Sequence, residues 1–267
     1  MSHPIFDAHL HIINPDYPLI ENQGYLPPAY SVEDYQVQAA QLGIKGGVVV
    51  SGSFQGFDQT YLKAALQQLG DGFVGVTQLP VDTSNEEILA LDNDGVRAVR
   101  FNLVRGGSET VEHLRHFARR VFDLAGWHVE LYVDCSDIKE LEPIIAVLPK
   151  VSIDHLGLSR AGMSALVRLA KKGVRVKASG FGRVNFPAEK AIKSLFAANP
   201  LSLMFGSDLP STRAARPFMT DDIALIKRVL GDEASELVLW ENGARFYRLW
   251  SHDRSDISRR NNAATGE

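Results

Sequence analysis

Eight short runs rich in Val, Ile and Phe alternate with eight longer amphipathic runs, and this alternation limits the possible folds more than any other feature of the chain. The β-like runs fall at residues 4–12, 46–52, 73–79, 96–102, 128–134, 151–157, 174–180 and 203–208. Helix-like runs at 31–43, 58–70, 84–95, 111–126, 137–149, 164–173, 187–200 and 221–231 separate and follow them. Successive strand starts lie ~20–40 residues apart, room for one crossover helix each. Such a pattern predicts an α/β fold, a (β/α)8 TIM barrel. A doubly wound open sheet is the alternative, but that fold usually carries a Gly-rich phosphate turn after its first strand. Here the first strand carries histidines instead. Ser31, three residues before Asp34, and Gly43 mark the two ends of the first helix. The Gly46-Gly47 pair reads as helix-end punctuation.

No linker interrupts the body, so residues 1–250 are expected to form one domain and the polar stretch 251–267 a frayed tail. A net charge of −4 lacks the basic footprint of a nucleic-acid binder. Apolar runs of about six residues fall short of the ~20 needed to cross a membrane. One cysteine, Cys135, excludes an internal disulfide framework and Cys-based zinc ribbons. The opening MSHPIFDAHLHI has neither the charged start nor the apolar run of a secretory leader, and a cytoplasmic location is the expectation.

Strand periodicity would place Asp7, His9 and His11 on one face of the first strand, with Ala8 and Leu10 on the other. At a barrel's C-terminal mouth, paired imidazoles can ligate a metal or donate to a developing oxyanion. Asp154-His155 closes the sixth strand and Asp208 the eighth. A buried His pair and capping Asp residues are the plain structural alternatives. Brought to one mouth, His9, His11, His155 and Asp208 would bind a divalent ion, or orient water with Asp208 as base. Arg100, Arg105, Arg183, Arg213 and Arg216 lie near strand ends or in the loops that follow them, where converging guanidinium groups bind carboxylates. Lys177, inside an apolar strand, needs a carboxylate partner or a place in the site. In the fifth strand His128, Glu130, Tyr132 and Asp134 alternate with apolar residues and would line the barrel, with Tyr132 near the mouth. The long first loop, around Gly24-Tyr25-Leu26-Pro27-Pro28, is a candidate lid.

FDAHLHI, SIDHLG, VKASGFGR and LMFGSDLP, in that order, resemble the amidohydrolase-related (amidohydrolase 2) branch of the amidohydrolase superfamily. NQGYLPP, VRAVRFNL, GWHVELYVD and LPSTRAARPF are similar to its 2-pyrone-4,6-dicarboxylate lactonase-like group. The resemblance implies a hydrolase of a small carboxylated lactone, with a small anionic lactone or carboxylic acid as its partner. It implies Asp208 as the base, His9, His11 and His155 as polarising groups, and Arg100, Tyr132 and Arg183 as substrate ligands. Arg105 or Arg213 would assist. The cofactor is none, or one divalent ion (Zn or Mn) held by His9, His11, His155 and Asp208. The chain departs from the group at Leu158, where the lactonases carry Arg; Arg160 stands two residues on. It has no ligand His at the mouth end of strand five and no bridging Lys in strand four, which disfavours a two-metal centre. A metal-dependent non-oxidative decarboxylase of a small aromatic or muconate acid, and an inactive barrel that binds an acidic ligand, are the alternatives.

Overall fold

The computed structural model describes residues 3–249; the tail expected at 251–267 lies outside the described residues. Strands β1 (Ile5–Leu10), β2 (Ile44–Val50), β3 (Phe73–Thr77), β4 (Val96–Asn102), β5 (His128–Tyr132), β6 (Val151–Ile153), β7 (Arg175–Ala178) and β8 (Leu203–Phe205) pair in sequence order. Every pairing is parallel. Between and after them run α1 (Val32–Leu42), α2 (Thr60–Leu69), α3 (Asn85–Asn93), α4 (Val111–Ala125), α5 (Ile138–Ile145), α6 (Met163–Lys171), α7 (Ala188–Ala198) and α8 (Thr220–Leu230). Closure comes just past β8: Asp208 N–H donates to the His9 carbonyl at 2.7 Å, and His11 N–H to the Leu209 carbonyl at 2.8 Å. The result is the expected (β/α)8 TIM barrel.

The local signals act as anticipated at α1. Ser31 and Asp34 form a reciprocal capping box, and Gly43 ends the helix in the left-handed region at φ 74°. Gly46 and Gly47 do not punctuate a helix; they lie within β2. A Cβ on Gly46 would stand 2.6 Å from the Gly72 carbonyl oxygen, and one on Gly47 2.8 Å from that of Asp7. Only glycine permits that approach between neighbouring strands.

The barrel interior is chemically divided. Phe6, Ala8, Val48, Val50, Val74 and Val76 from β1–β3 form an apolar half. Facing it, β4–β7 and the turn after β6 supply Arg100, Glu130, Asp154 and Lys177, all buried and joined in ion pairs. The outward residues of the same strands, such as Val99, Leu131, Ile153 and Val176, pack under the helices. Each strand is thus buried on both faces.

Residues 232–249 carry structure that the periodicity did not announce: short helices Asp232–Glu236 and Asn242–Phe246 flank a π-helical turn, Leu237–Glu241. This segment lies against the N-terminal end of the barrel. Trp240 meets the Phe6 ring edge-on at 6.2 Å, and Asn242 Nδ2 donates to the Leu203 carbonyl at 2.9 Å. Pieces so short show no apolar stripe of helical period, the signal on which sequence reading depends. Among the described residues, no helix is long and apolar enough to cross a membrane.

Candidate active site

A bulge in β1 creates the site. Asp7 pairs with Gly47 and Leu10 with Val49, so three steps on β1 face two on β2. Strict alternation would send His9 and His11 outward, because Phe6 and Ala8 face the barrel interior. The extra residue reverses the phase, and both imidazoles enter the mouth while Leu10 joins the helix-facing core. Asp7 therefore does not share their face, contrary to the expectation from period two. It points toward α1 and β8, where it accepts from Tyr35 Oη at 3.2 Å, Ser207 N–H at 2.7 Å and Ser207 Oγ at 2.5 Å. Burial nevertheless pushes its carboxyl up to about 6.

His155 and Asp208 sit just beyond β6 and β8 in left-handed backbone, at φ 50° and 63°. Such conformations cost ~1–3 kcal/mol each and gather at functional sites. Together with β1 they close a ring of donors. Asp208 Oδ1 lies 3.9 Å from His9 Nε2, 4.0 Å from His11 Nε2 and 3.9 Å from His155 Nε2. All four side chains are buried. The sequence placed these four residues at one mouth, and the structure brings them around one point.

Burial and nearby cations hold the imidazoles neutral. His11 is pushed down to about 3 by burial and then by Arg100, and its Nδ1 bonds the Val50 carbonyl at 2.7 Å. His155 and His9 are likewise driven down, by burial first and next by Arg183 and Lys177 respectively. Burial raises the Asp208 carboxyl above its usual 3.8, with Arg183 opposing. Burial also opposes ionisation of Asp154 and Glu130, but Lys177 and their other partners keep both below the usual carboxylate range.

The arginines divide into two kinds. Arg100 bonds Asp154 Oδ2 through Nη2 at 2.8 Å and the Ser51 carbonyl through Nη1 at 2.8 Å. Arg183 grips Asp208 with Nε at 2.6 Å and Nη2 at 3.1 Å. Both are thus already paired with carboxylates. Arg105 and Arg213 have no carboxylate partner among the described residues. Each reaches Gln23 Oε1, at 3.4 Å and 3.5 Å, and the Arg213 guanidinium lies 4.4 Å from the Tyr25 ring centre. All four line a cavity with His11, Phe54, Asn102, Tyr132 and His155. Tyr132 meets His155 edge-on at 5.4 Å under the Arg100 guanidinium. Arg216 pairs instead with Asp222, and Arg160 is exposed and lies outside this cavity. The first loop crosses the mouth as a latch: Asn22 donates to the Arg105 carbonyl at 3.1 Å and accepts from Ser53 Oγ at 3.1 Å.

The family sequence profile described as amidohydrolase matches residues 6–249. The chain belongs to the amidohydrolase family. Among its relatives is the 2-pyrone-4,6-dicarboxylate hydrolase of Comamonas testosteroni, 31% identical over 156 residues. That alignment covers 57% of this chain and spans about half, 51%, of the relative's length. The 4-sulfomuconolactone hydrolase of Rhizobium radiobacter is 26% identical over 270 residues, covering 91% of this chain and 89% of the relative. A crystal structure from Acinetobacter baumannii, described as a "probable 2-pyrone-4,6-dicarboxylic acid hydrolase" with citric acid bound, superposes with a TM-score of 0.78 at 25% identity. It covers 91% of this chain and 99% of its own.

Amidohydrolases often use divalent ions, and His9, His11, His155 and Asp208 have suitable donor types. Among the described residues, the ligand atoms of His9, His11 and Asp208 stand close enough together to hold one ion. Ligands of a tetrahedral zinc with ~2.0–2.1 Å bonds stand about 3.3 Å apart, and the three Nε2 atoms lie 3.9–4.0 Å from Asp208 Oδ1, so a small contraction of the ring would seat an ion. Asp208 already holds Arg183, and the buried ions pair off as Arg100 with Asp154, Lys177 with Glu130, and Arg183 with Asp208. An ion held by His9, His11 and Asp208 would polarise a substrate carbonyl as a Lewis acid.

Sequence reasoning gave no role to Ser179, whose hydroxyl lies 2.9 Å from His155 Nδ1, nor to Gly180 beside it. Gly180 has φ 57°, and a Cβ there would stand 2.6 Å from His155 Nδ1. Gly180→Ala is expected to tilt His155 out of the ring, at a stability cost of about 1–2 kcal/mol from the left-handed backbone. A melting curve and kcat of the variant check this; unchanged kcat would free His155 from any need for that orientation.

Proposed function

We propose that this protein hydrolyses a small lactone bearing at least one anionic group. The observation that carries the reading is a buried carboxylate, Asp208, ringed by three imidazoles at 3.9–4.0 Å, beneath two arginines without carboxylate partners among the described residues. The named relatives act on lactones that carry carboxylate or sulfonate groups, and the similar structure holds a tricarboxylic acid, which supports the same substrate class.

Water attacks the lactone carbonyl carbon while Asp208 takes one of its protons. The carbonyl π pair moves onto oxygen, where a donating imidazole of the ring meets the developing charge. Collapse restores the carbonyl and breaks the ring C–O bond. The leaving oxygen recovers the proton from Asp208, giving a ring-opened hydroxy acid. Positioned proton transfer of this kind contributes ~10²–10⁴-fold. Arg105 and Arg213 hold the substrate's anionic group, while Arg100 and Arg183 hold the carboxylates of Asp154 and Asp208. Tyr132 lines the pocket between the two sets.

The pH dependence follows. Asp208 must be ionised to act, so activity is present above its raised pKa and lost as pH falls through it. Because the imidazoles stay neutral, log(kcat/KM) is expected to fall on the acid side with a slope of about one, in a single step. A slope near two would mean that a histidine titrates with it.

A panel of 2-pyrone-4,6-dicarboxylate, 4-sulfomuconolactone and uncharged lactones tests the function. The expected result is hydrolysis of anionic members only. In Arg105→Met/Arg213→Met, KM for the anionic lactone should rise at least about tenfold, each lost charge-assisted pairing being worth ~1.5–3 kcal/mol. KM for its uncharged ester should barely move. Equal turnover of uncharged lactones, or an unchanged KM in the variant, would overturn the assignment.

A further inference from the structure

The imidazoles of the ring differ in what holds their other nitrogen. His11 Nδ1 bonds the Val50 carbonyl oxygen at 2.7 Å. A carbonyl only accepts, so neutral His11 carries its proton on Nδ1 and presents a bare Nε2 to the cavity. His9 Nδ1 instead meets Lys177 Nζ at 3.1 Å. Lys177 is fully buried, and its Nζ lies 2.6 Å from Glu130 and 3.4 Å from Asp154. An ammonium held by carboxylates has three donors and no lone pair, so His9 Nδ1 must accept. Neutral His9 then carries its proton on Nε2. That atom is buried and has no partner among the described residues.

We propose that Lys177 and the Val50 carbonyl sort these histidines into opposite roles, His9 donating an Nε2–H bond to the lactone carbonyl oxygen and His11 accepting a bond from the attacking water. This assignment refines the lactonase reading and rests on it for the reaction, though not for the tautomers. His11 Nε2 and Asp208 Oδ1, both acceptors, stand 4.0 Å apart. That is too far for a direct bond, and it is a span one water bridges with a hydrogen to each. When Asp208 takes its proton, the other stays on the attacking oxygen, held toward His11. The unsatisfied His9 N–H marks where the carbonyl oxygen sits.

Lys177 touches no substrate; it is a positioning residue. Its removal has a defined consequence, because Asp154 Oδ1, unbonded among the described residues, lies 3.4 Å from His9 Nδ1. Without the ammonium, His9 turns its proton to Nδ1 to meet that carboxylate, and Nε2 becomes bare. The donor to the oxyanion is lost, and the ring gains a further unprotonated nitrogen able to take a cation.

Two-bond ¹H–¹⁵N correlation spectra of histidine-labelled protein read these tautomers directly, with His9→Asn and His11→Asn used to assign the signals. The wild type should show His9 protonated on Nε2 and His11 on Nδ1. Lys177→Met should move the His9 proton to Nδ1, lower kcat by ~10²-fold with KM little changed, and tighten Zn²⁺ binding at least about tenfold in competition with a chromophoric chelator. Because Lys177→Met strands Glu130, the Lys177→Met/Glu130→Gln pair serves if the single variant does not fold. Wild-type His9 protonated on Nδ1, a variant that keeps the proton on Nε2, or unchanged Zn²⁺ affinity would overturn the proposal. Tautomers as stated, with no lactone hydrolysed by the wild type, would support the sorting of His9 and His11 by Lys177 and the Val50 carbonyl, and would remove the lactonase reading together with their roles toward lactone and water.

Discussion

Asp208→Asn yields a folded protein whose kcat on its lactone falls about 10³-fold or more, within the range that general-base catalysis supplies. Asparagine matches the carboxylate in shape but cannot take a proton at neutral pH. It keeps one oxygen for Arg183, whose second anchor on the Thr212 carbonyl at 2.7 Å is untouched. The stability cost should therefore stay at about 1–3 kcal/mol, that of one weakened charge-assisted bond. Measuring kcat beside a thermal midpoint separates the two effects. A variant with near wild-type kcat would remove Asp208 as the base.

Arg183→Met acts through the same carboxylate. Arg183 pairs with both Asp208 oxygens and is the strongest influence holding its pKa down against burial. Without it Asp208 rises further, and the acid limb of the pH profile moves to higher pH. At neutral pH less of the base is ionised, and its carboxylate is free to rotate. A fall in kcat of ~10²-fold is expected, a misplaced catalytic group being costly even at constant chemistry. The KM for anionic lactones should change less than in Arg105→Met/Arg213→Met. A variant whose KM rises tenfold or more while its acid limb stays in place would return Arg183 to substrate binding.

The strands were legible because each carries Val, Ile or Phe in a short run and is buried on both faces, a pattern that does not depend on partners. His9, His11, His155 and Asp208 were legible for a related reason: each ends a strand, and in this topology strand ends converge. The face of β1 was misread because a bulge leaves no mark in a six-residue strand; it follows Asp7, whose carbonyl oxygen would stand 2.8 Å from a Cβ on Gly47 of the neighbouring strand. The segment at 232–249 was missed because its short turns are shaped by what they cover. The arginines were recognised as a set, but which remain available for a ligand depends on Asp154 and Asp208 lying across the barrel.

Chain order and hydrophobic period, both local properties, were enough for the barrel, its mouth and the chemical types gathered there. Charge pairing and hydrogen direction were not, because they are settled by groups that are distant in sequence and adjacent in space. Lys177 meets Glu130 from 47 positions away and His9 from 168. A buried ion takes whichever counter-ion folding delivers to it, and that pairing sets which nitrogen of His9 holds the proton.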